Sequence, residues 1–313
     1  MSGRTRRSTL RLASVTAATA VVPATSVAAE SEWTVAETPV DTSLHDVTYA
    51  TNAFAVGGGG TVIERRDGGW QTVLQGGPTG GGNDLNGTDA TDDGKRLWVV
   101  GASGAIGEYD VTTGNLIDRS APNDSTSNFN DVAVTCSAGS AEVYVADDSG
   151  AIHYSFKNGE KGTWEYATPG SGAGLEAIDF YSNRSGHAID TNDEVFATDD
   201  GVTYDTIGID DADVTFYGLD SDAVNDVAVS GGNGSVFDYD GSQWTPTNIG
   251  AADLFAIETA GDDGYAVGSD GAIFELSGGE WSQMTTPVSG KLNAVARGST
   301  DIVVGAGGTV LER

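Results

Sequence analysis

Short apolar runs alternate with glycine-rich stretches along most of this chain. The stretch AVGGGGTVIER, from Ala55 to Arg65, is an apolar run, four glycines and a second apolar run. A nearly identical copy, VVGAGGTVLER, spans Val303 to Arg313. Looser copies begin at Val99, Tyr144 and Tyr265. Two apolar runs joined by glycines and small polar residues are typical of a tight β-hairpin, so the pattern predicts one hairpin used repeatedly.

Two further patterns recur around these hairpins. An apolar residue, two positions of any type and a β-branched residue precede each hairpin, in copies that start at Leu44, Leu85, Phe129, Leu175, Leu254 and Leu292. A weaker copy, FYGL, starts at Phe216. A glycine turn and then an aromatic residue follow most hairpins, at Trp70, Trp164, Tyr204, Trp244 and Trp281. The first of these patterns returns every ~38 to 46 residues, a period typical of arrays and propellers.

One repeat therefore contains four short strands, and seven repeats predict an all-β, seven-bladed β-propeller of four-stranded antiparallel blades. We assign it to residues 30–313 as a single domain. The seventh repeat stops at Arg313 after its third strand. The missing strand is matched by SEWTVAETPVDTSL, from Ser31, which parallels GEWSQMTTPVSGKL, from Gly279. We predict that the strand at Trp33 completes the last blade and closes the ring, because closure removes the open sheet edge.

The repeats resemble the YVTN/Asp-box (BNR-like) class of propellers, and most of all the photosystem II stability and assembly factor group. The resemblance covers about residues 31–313 and rests on the L-x-x-V, V-G-x-x-G-x-I and D-G-x-x-W elements. The Asp-box pattern S-x-D-x-G-x-T-W is matched best, in degenerate form, by Asp199, Gly201, Thr203 and Tyr204. The resemblance implies that this box is a structural element rather than a catalytic site.

The same resemblance implies a non-enzymatic scaffold that holds another protein. It does not carry over the photosynthetic partner, because repeat similarity marks a fold whereas function lies in loops that diverge. The recognition surface of that group is arginine-rich, whereas the arginines after residue 30 are few and scattered between Arg65 and Arg313.

The formal net charge of −31 is spread over the whole chain, and the only lysines are Lys95, Lys157, Lys161 and Lys291. A uniformly acidic surface with few lysines is typical of proteins that stay soluble in concentrated salt. We interpret this halophilic composition as an adaptation to salt, with an acidic face for a basic partner or a metal as the alternative. A nucleic-acid ligand is excluded because no basic stripe is present to neutralise phosphates.

Residues 1–29 have the features of an export signal. A basic start is followed by a modest apolar stretch and by small residues suited to cleavage. Arg6 and Arg7, with Thr5 before them, resemble the twin-arginine signal. We predict export by the twin-arginine route and an extracellular or cell-surface location. A membrane span is not expected after signal removal, because the apolar stretch is short and broken by Pro23.

The chain offers little recognisable catalytic chemistry. His45, His153 and His187 fall in three different repeats, and the single cysteine, Cys136, looks like a small residue at a strand end. We predict no catalytic residue, no cofactor and no metal ligand. Structural calcium remains an alternative for acidic clusters at Asp147–Asp148, Asp199–Asp200, Asp210–Asp213 and Asp220–Asp222, although none has the EF-hand loop pattern. The sequons at Asn86, Asn123, Asn183 and Asn233 leave glycosylation open.

Two functions follow as hypotheses. The first is a binding propeller, a monomeric ring that holds an unidentified protein partner through loops on one face. The second is a carbohydrate-binding or glycoside-cleaving propeller, which needs aromatic side chains and paired acids at the mouth of the channel. A sialidase-type arginine triad cannot be placed, since blades four to six contain only Arg184.

Overall fold

The structure is a computed structural model that describes residues 33–209 and 212–313. The predicted signal, with Arg6 and Arg7, lies outside the described residues. The described chain forms seven four-stranded antiparallel sheets, and the innermost strand of each sheet contacts the innermost strands of the sheets before and after it until the seventh meets the first. The predicted seven-bladed propeller is therefore confirmed. Within the described residues, no helix is long and apolar enough to cross a membrane.

The first four blades follow the chain in order, each running from the innermost strand outwards. Blade 1 contains β2 (Leu44–Tyr49), β3 (Ala53–Gly57), β4 (Thr61–Arg66) and β5 (Gly69–Leu74). Blade 2 contains β6 (Leu85–Ala90), β7 (Arg96–Gly101), β8 (Ala105–Asp110) and β9 (Leu116–Asp118). Blade 3 contains β10 (Phe129–Thr135), β11 (Glu142–Asp147), β12 (Ile152–Ser155) and β13 (Glu165–Ala167). Blade 4 contains β14 (Leu175–Ser182), β15 (Ser185–Asp190), β16 (Val195–Thr198) and β17 (Asp205–Thr206).

The last three blades complete the ring, and the seventh borrows its outer strand from the start of the chain. Blade 5 contains β18 (Phe216–Ala223), β19 (Asp226–Gly231), β20 (Ser235–Tyr239) and β21 (Trp244–Asn248). Blade 6 contains β22 (Leu254–Ala260), β23 (Asp263–Gly268), β24 (Ile273–Ser277) and β25 (Glu280–Gln283). Blade 7 contains β26 (Leu292–Ala296), β27 (Ile302–Gly305), β28 (Val310–Glu312) and β1 (Thr34–Val35).

The closing strand is held in two ways. β1 pairs antiparallel with β28, with Thr34 opposite Glu312. The indole of Trp33 is 1% exposed and lies in a core shared by blades 6 and 7, where its ring meets the edge of Tyr265 at 5.3 Å. Closure of the last blade by the N-terminal strand is thus confirmed.

Glu312 also joins the last blade to the first. Its carboxylate accepts hydrogen bonds from Arg65 Nε and from Trp70 Nε1, both at 2.9 Å. These bonds are charge-assisted and partly shielded from water, which makes them stronger than a surface ion pair. The hydrogen bond and charge of Arg65 help to hold the pKa of Glu312 below its usual range. These hydrogen bonds of Glu312, which we call the Glu312 latch, link β28 to the outer strands of blade 1.

Glycine is required where the second and third strands of a blade join. In blades 1, 2, 5, 6 and 7 this connection is one short 3₁₀ turn that ends in glycine. At the last position Gly308 has φ 72°, and a Cβ built there would lie 2.1 Å from the carbonyl oxygen of Val40. A side chain is therefore excluded by backbone conformation and by the close approach of the next inter-blade connection. The glycine pair of the repeat marks this turn.

Trp33→Ala is expected to lower the free energy of unfolding by about 3–5 kcal/mol, because it leaves a large cavity between blades 6 and 7. Urea unfolding in concentrated salt, followed by circular dichroism, measures the loss. The matched control is Val35→Ala in the same strand, whose side chain is 57% exposed, with an expected change within about 0.5 kcal/mol. Equal effects of the two variants would contradict the role of Trp33 in closure.

Candidate functional site

The central channel is lined by side chains of the seven innermost strands. Each of these strands begins with the apolar residue of the L-x-x-V pattern, and its pairing with the second strand shifts register between the first and third residues. Such bulges re-aim the side chain of the extra residue. The second residue of every innermost strand therefore lines one end of the channel, and we call this end the mouth. It is lined by His45, Asn86, Asn130, Glu176, Tyr217, Phe255 and Asn293, together with Lys291.

Four mouth side chains join one blade to the next. Each donates a hydrogen bond to the carbonyl oxygen of the first residue in the following innermost strand. The bonds run from Asn86 Nδ2 to Phe129 O, from Asn130 Nδ2 to Leu175 O, from Asn293 Nδ2 to Leu44 O and from His45 Nδ1 to Leu85 O, at 2.7–2.9 Å. The mouth side chains thus give a hydrogen-bond partner to a backbone carbonyl group at the bulge of the next blade. Asn86 is occupied in this way, which disfavours glycosylation at its sequon.

Blades 4, 5 and 6 break this pattern with Glu176, Tyr217 and Phe255. At the junction of blades 5 and 6 the equivalent carbonyl, that of Leu254, accepts its hydrogen bond from Ser230 Oγ at 3.2 Å. Ser230 lies on the second strand of blade 5, so Tyr217 is released from the structural role that its position has in other blades. The rings of Tyr217 and Phe255 lie side by side, 5.1 Å apart and tilted by 55°.

Carboxyl groups line the channel below the mouth. We call this set the carboxyl tier, and it consists of Asp46, Asp89, Asp131, Asp179, Asp220 and Glu258. The cavity has a volume of about 300 Å³, and no lysine or arginine is among the described residues that line it. Within the described residues, no group of three histidine, cysteine or acidic side chains is placed to hold a metal ion.

The aspartates of the tier connect successive blades through backbone N–H groups. Asp131 is representative, because one oxygen accepts from Val132 N in its own strand at 2.8 Å and the other from Ile178 N in the next blade at 2.9 Å. Asp46, Asp89 and Asp179 make the same pair of bonds. Asp220 accepts from the backbone and the hydroxyl of Thr259. Five consecutive blade junctions are bridged in this way.

Burial raises the pKa of the carboxyl tier. It brings Asp46, Asp179 and Asp220 to about 7, against the opposing effect of their hydrogen bonds. Asp131 reaches about 8, because burial is reinforced by the charge of Asp46. Burial and neighbouring carboxylates also raise the pKa of Glu258 well above its usual range. The channel therefore gains negative charge as the pH rises through neutrality.

The three histidines occupy separate places. His45 belongs to the mouth, whereas His153 and His187 are buried in blades 3 and 4. His153 Nε2 lies 3.1 Å from Asp147 Oδ2, and His187 Nδ1 lies 2.7 Å from Ser221 Oγ. Burial lowers the pKa of His187 to about 4. The residues do not come together as a metal site would require.

Two aspartates of the acidic clusters in the sequence, Asp147 and Asp200, serve as turn acceptors. Asp147 accepts from the backbone of Ser149 and Ala151, while Asp210 and Asp211 lie outside the described residues. In the degenerate Asp-box, Asp200 accepts from Val202 N, Thr203 N and Thr203 Oγ1 at 2.7–2.8 Å. The structure thus gives the turn-forming role to Asp200, one residue after Asp199. Gly201 has φ 72° in this turn, and Tyr204 packs against the core of blades 3 and 4.

Cys136 follows the end of β10, as predicted from its setting. It is half-buried rather than buried, in a left-handed backbone conformation with φ 70°. Burial raises the pKa of its thiol, so the thiolate that a nucleophile needs is disfavoured.

Comparison with known proteins places the chain by its fold. No protein-family model matches the sequence, and no curated protein matches it. The structure of YCF48 bound to D1 peptide is similar, with a TM-score of 0.71 and 13% identity over 90% of this chain and 94% of that chain. The WD40 β-propeller domain of Doa1 has a TM-score of 0.73 and 13% identity, over 90% of this chain and 96% of that chain. Virginiamycin B lyase from Staphylococcus aureus has a TM-score of 0.75 and 14% identity, over 90% of this chain and 99% of that chain. These similarities show the propeller fold.

The L-x-x-V pattern predicts neither the mouth nor the carboxyl tier, because it specifies no residue at the second, third or fifth position of the innermost strand. A signal was present nonetheless. Asparagine recurs at the second position in LNGT, FNDV and LNAV, and an acid recurs at the third or fifth position of six innermost strands.

The pH dependence of stability tests the carboxyl tier. Between the ordinary carboxyl pKa of about 4 and a pH of about 7–8, the folded chain retains protons that the unfolded chain has already released. Stability therefore falls as the pH rises through this window, and the fall ends once the buried carboxyl groups have titrated. The free energy of unfolding is expected to decrease between about pH 6.5 and 8, by at most about 1.4 kcal/mol per pH unit for each carboxyl group. Urea titrations at fixed ionic strength measure it.

Asp131→Asn is the matched variant for this measurement. Asparagine cannot titrate, so the slope against pH is expected to flatten even though the variant is less stable. His187 opposes this trend only at the lower end of the range, because an unfolded histidine loses its proton near pH 6.5 and is mostly neutral above about pH 7. A slope that is unchanged in Asp131→Asn, or a stability that rises with pH in the wild type, would contradict the assignment.

Proposed function

We propose that this chain is an exported, non-enzymatic propeller that binds a protein partner at the cell surface or outside the cell, with the mouth as its contact surface. The observation that carries the proposal is the break in the mouth pattern at blades 4, 5 and 6. Positions that elsewhere hold the ring together there present Glu176 and the ring pair of Tyr217 and Phe255. Both rings are half-buried, and aromatic side chains that are accessible at a surface without a structural role are characteristic of protein-binding sites.

Similar folds support a binding role. YCF48 has been captured with a D1 peptide, and it is also a member of the assembly-factor group that the repeats of this chain resemble. The finer proposal is that the chain is a YVTN/Asp-box propeller of this kind, adapted to concentrated salt and working as a single ring. Its partner differs from a photosynthetic one, because the mouth presents aromatic and amide side chains above an acidic channel rather than an arginine-rich surface.

Carbohydrate binding is the second candidate, and one observation favours it. The aromatic pair shares the mouth with Glu176, and together they provide part of the cluster that a sugar-binding mouth needs. Glycan-binding and hydrolysis screens in concentrated salt test this candidate.

Crosslinking pull-downs from cell envelopes in native salt test the contact surface. We expect the full-length chain to recover one reproducible partner, and the double variant Tyr217→Ser, Phe255→Ser to recover about tenfold less, because aromatic anchors carry much of the binding energy. The control is Tyr166→Ser on β13, whose side chain is 64% exposed and outside the mouth; it should recover the partner normally. Absence of a reproducible partner, or equal recovery by both variants, would contradict the proposal.

The export route is tested by replacing Arg6 and Arg7 with lysine. Twin-arginine receptors read the arginine pair itself, so most of the protein is expected to remain inside the cell although the charge is unchanged. The control, Arg4→Lys with Arg11→Lys, keeps the pair and should be exported normally. Fractionation followed by immunoblotting measures both, and normal export of the first variant would exclude the twin-arginine route.

A further inference from the structure

The aromatic pair at the mouth already holds a cation. Lys291, in the connection just before the innermost strand of blade 7, places its Nζ 3.8 Å from the centroid of the Phe255 ring. An ammonium group over an aromatic face is attracted by the ring quadrupole. Partial loss of water around this side chain lowers the pKa of Lys291. The ring therefore retains a positive charge even though that charge is partly desolvated.

The surroundings of this ring favour positive charge more widely. Glu176 lines the mouth two blades away, and the carboxyl tier lies directly below. At the far end of the innermost strands, the positive charge of Arg297 partly offsets the raised pKa of Glu258 and Asp222. At the mouth, Lys291 is the only lysine or arginine among the described lining residues. The single positive charge of Lys291 does not balance the carboxyl groups of Glu176 and the tier, so the mouth is electrostatically complementary to a further cation.

We propose that the mouth binds a lysine or arginine side chain of a partner protein, with its aliphatic stem across Tyr217 and Phe255 and its charged end towards Glu176 and the channel. This inference rests on the proposed function and names the chemistry of the partner. The aliphatic stem of a basic side chain suits an aromatic surface, while its charged end suits the carboxyl groups. Lys291 acts as an internal competitor that covers Phe255 until the partner arrives.

The probes are end-blocked pentapeptide pools with random flanking residues and a fixed central lysine, arginine, norleucine or glutamate. Fluorescence anisotropy with the full-length chain reports their binding at a pH of about 8.5, which lies above the pKa of Asp46, Asp131, Asp179 and Asp220. The lysine and arginine pools are expected to bind at least about fivefold more tightly than the norleucine pool, a ratio within the range of a cation–π contact. The glutamate pool should bind weakest.

Three variants locate the contact. Phe255→Leu keeps an apolar side chain but removes the ring, and should weaken the basic pools about three- to tenfold with little effect on norleucine. Lys291→Met removes the competitor and should strengthen the basic pools. Tyr166→Leu, outside the mouth, should change neither.

Other outcomes overturn the inference. Equal binding of the norleucine and lysine pools, or weaker binding of the basic pools by Lys291→Met, excludes a basic side chain on Phe255. If a partner crosslinks through the mouth without any basic preference, the proposed function stands and this inference falls. If the pools bind nowhere and no partner is recovered, both fall. Retention of glycans by the mouth instead favours the carbohydrate candidate.

Discussion

Hydrogen bonds between neighbouring innermost strands are the constraint on which this ring depends. Seven sheets that met only through apolar side chains would leave backbone groups near each bulge without hydrogen-bond partners. Buried polar groups without partners are costly. The amides of the mouth satisfy the exposed carbonyl groups, and the carboxyl tier satisfies the N–H groups of the next blade. The carboxyl group of Asp131 has both roles at once, because it fixes the bulge of its own strand and the position of the innermost strand in the next blade.

This constraint also explains why the mouth is asymmetric. A side chain that holds two blades together is not free to hold a ligand, so a binding surface can arise only where the structural bond is made elsewhere. Ser230 provides such a bond at the junction of blades 5 and 6, and Tyr217 of the aromatic pair occupies the position thus released. The sector formed by blades 4, 5 and 6 combines a ring surface with negative charge, whereas the rest of the mouth is committed to cohesion.

The sequence predicted the architecture well because the architecture is periodic. Each glycine turn and each apolar anchor is repeated, so a weak copy such as the one at Phe216 could be placed by its neighbours. The site was not predictable in the same way, because it consists of departures from the repeat. Tyr217 and Phe255 look like ordinary strand residues until the bulge shows where they lie. The hydrogen bonds of Glu312 with Arg65 and Trp70 join residues far apart in sequence, which no local pattern predicts. The Asp-box pattern points to Asp199 rather than Asp200, because only backbone geometry distinguishes these two neighbours.

Borrowing the outer strand of blade 7 from the start of the chain also sets the order of folding. Thr34 and Glu312 stand at opposite ends of the described chain, so their pairing is among the most non-local contacts in the molecule, and contacts of this kind form late. During synthesis the residues around Trp33 emerge long before their partners in β28. Until then blade 7 keeps an unpaired edge, and the first strand must remain unpaired without associating with other chains. The ring therefore closes only when both the strand at Trp33 and β28 are available to pair.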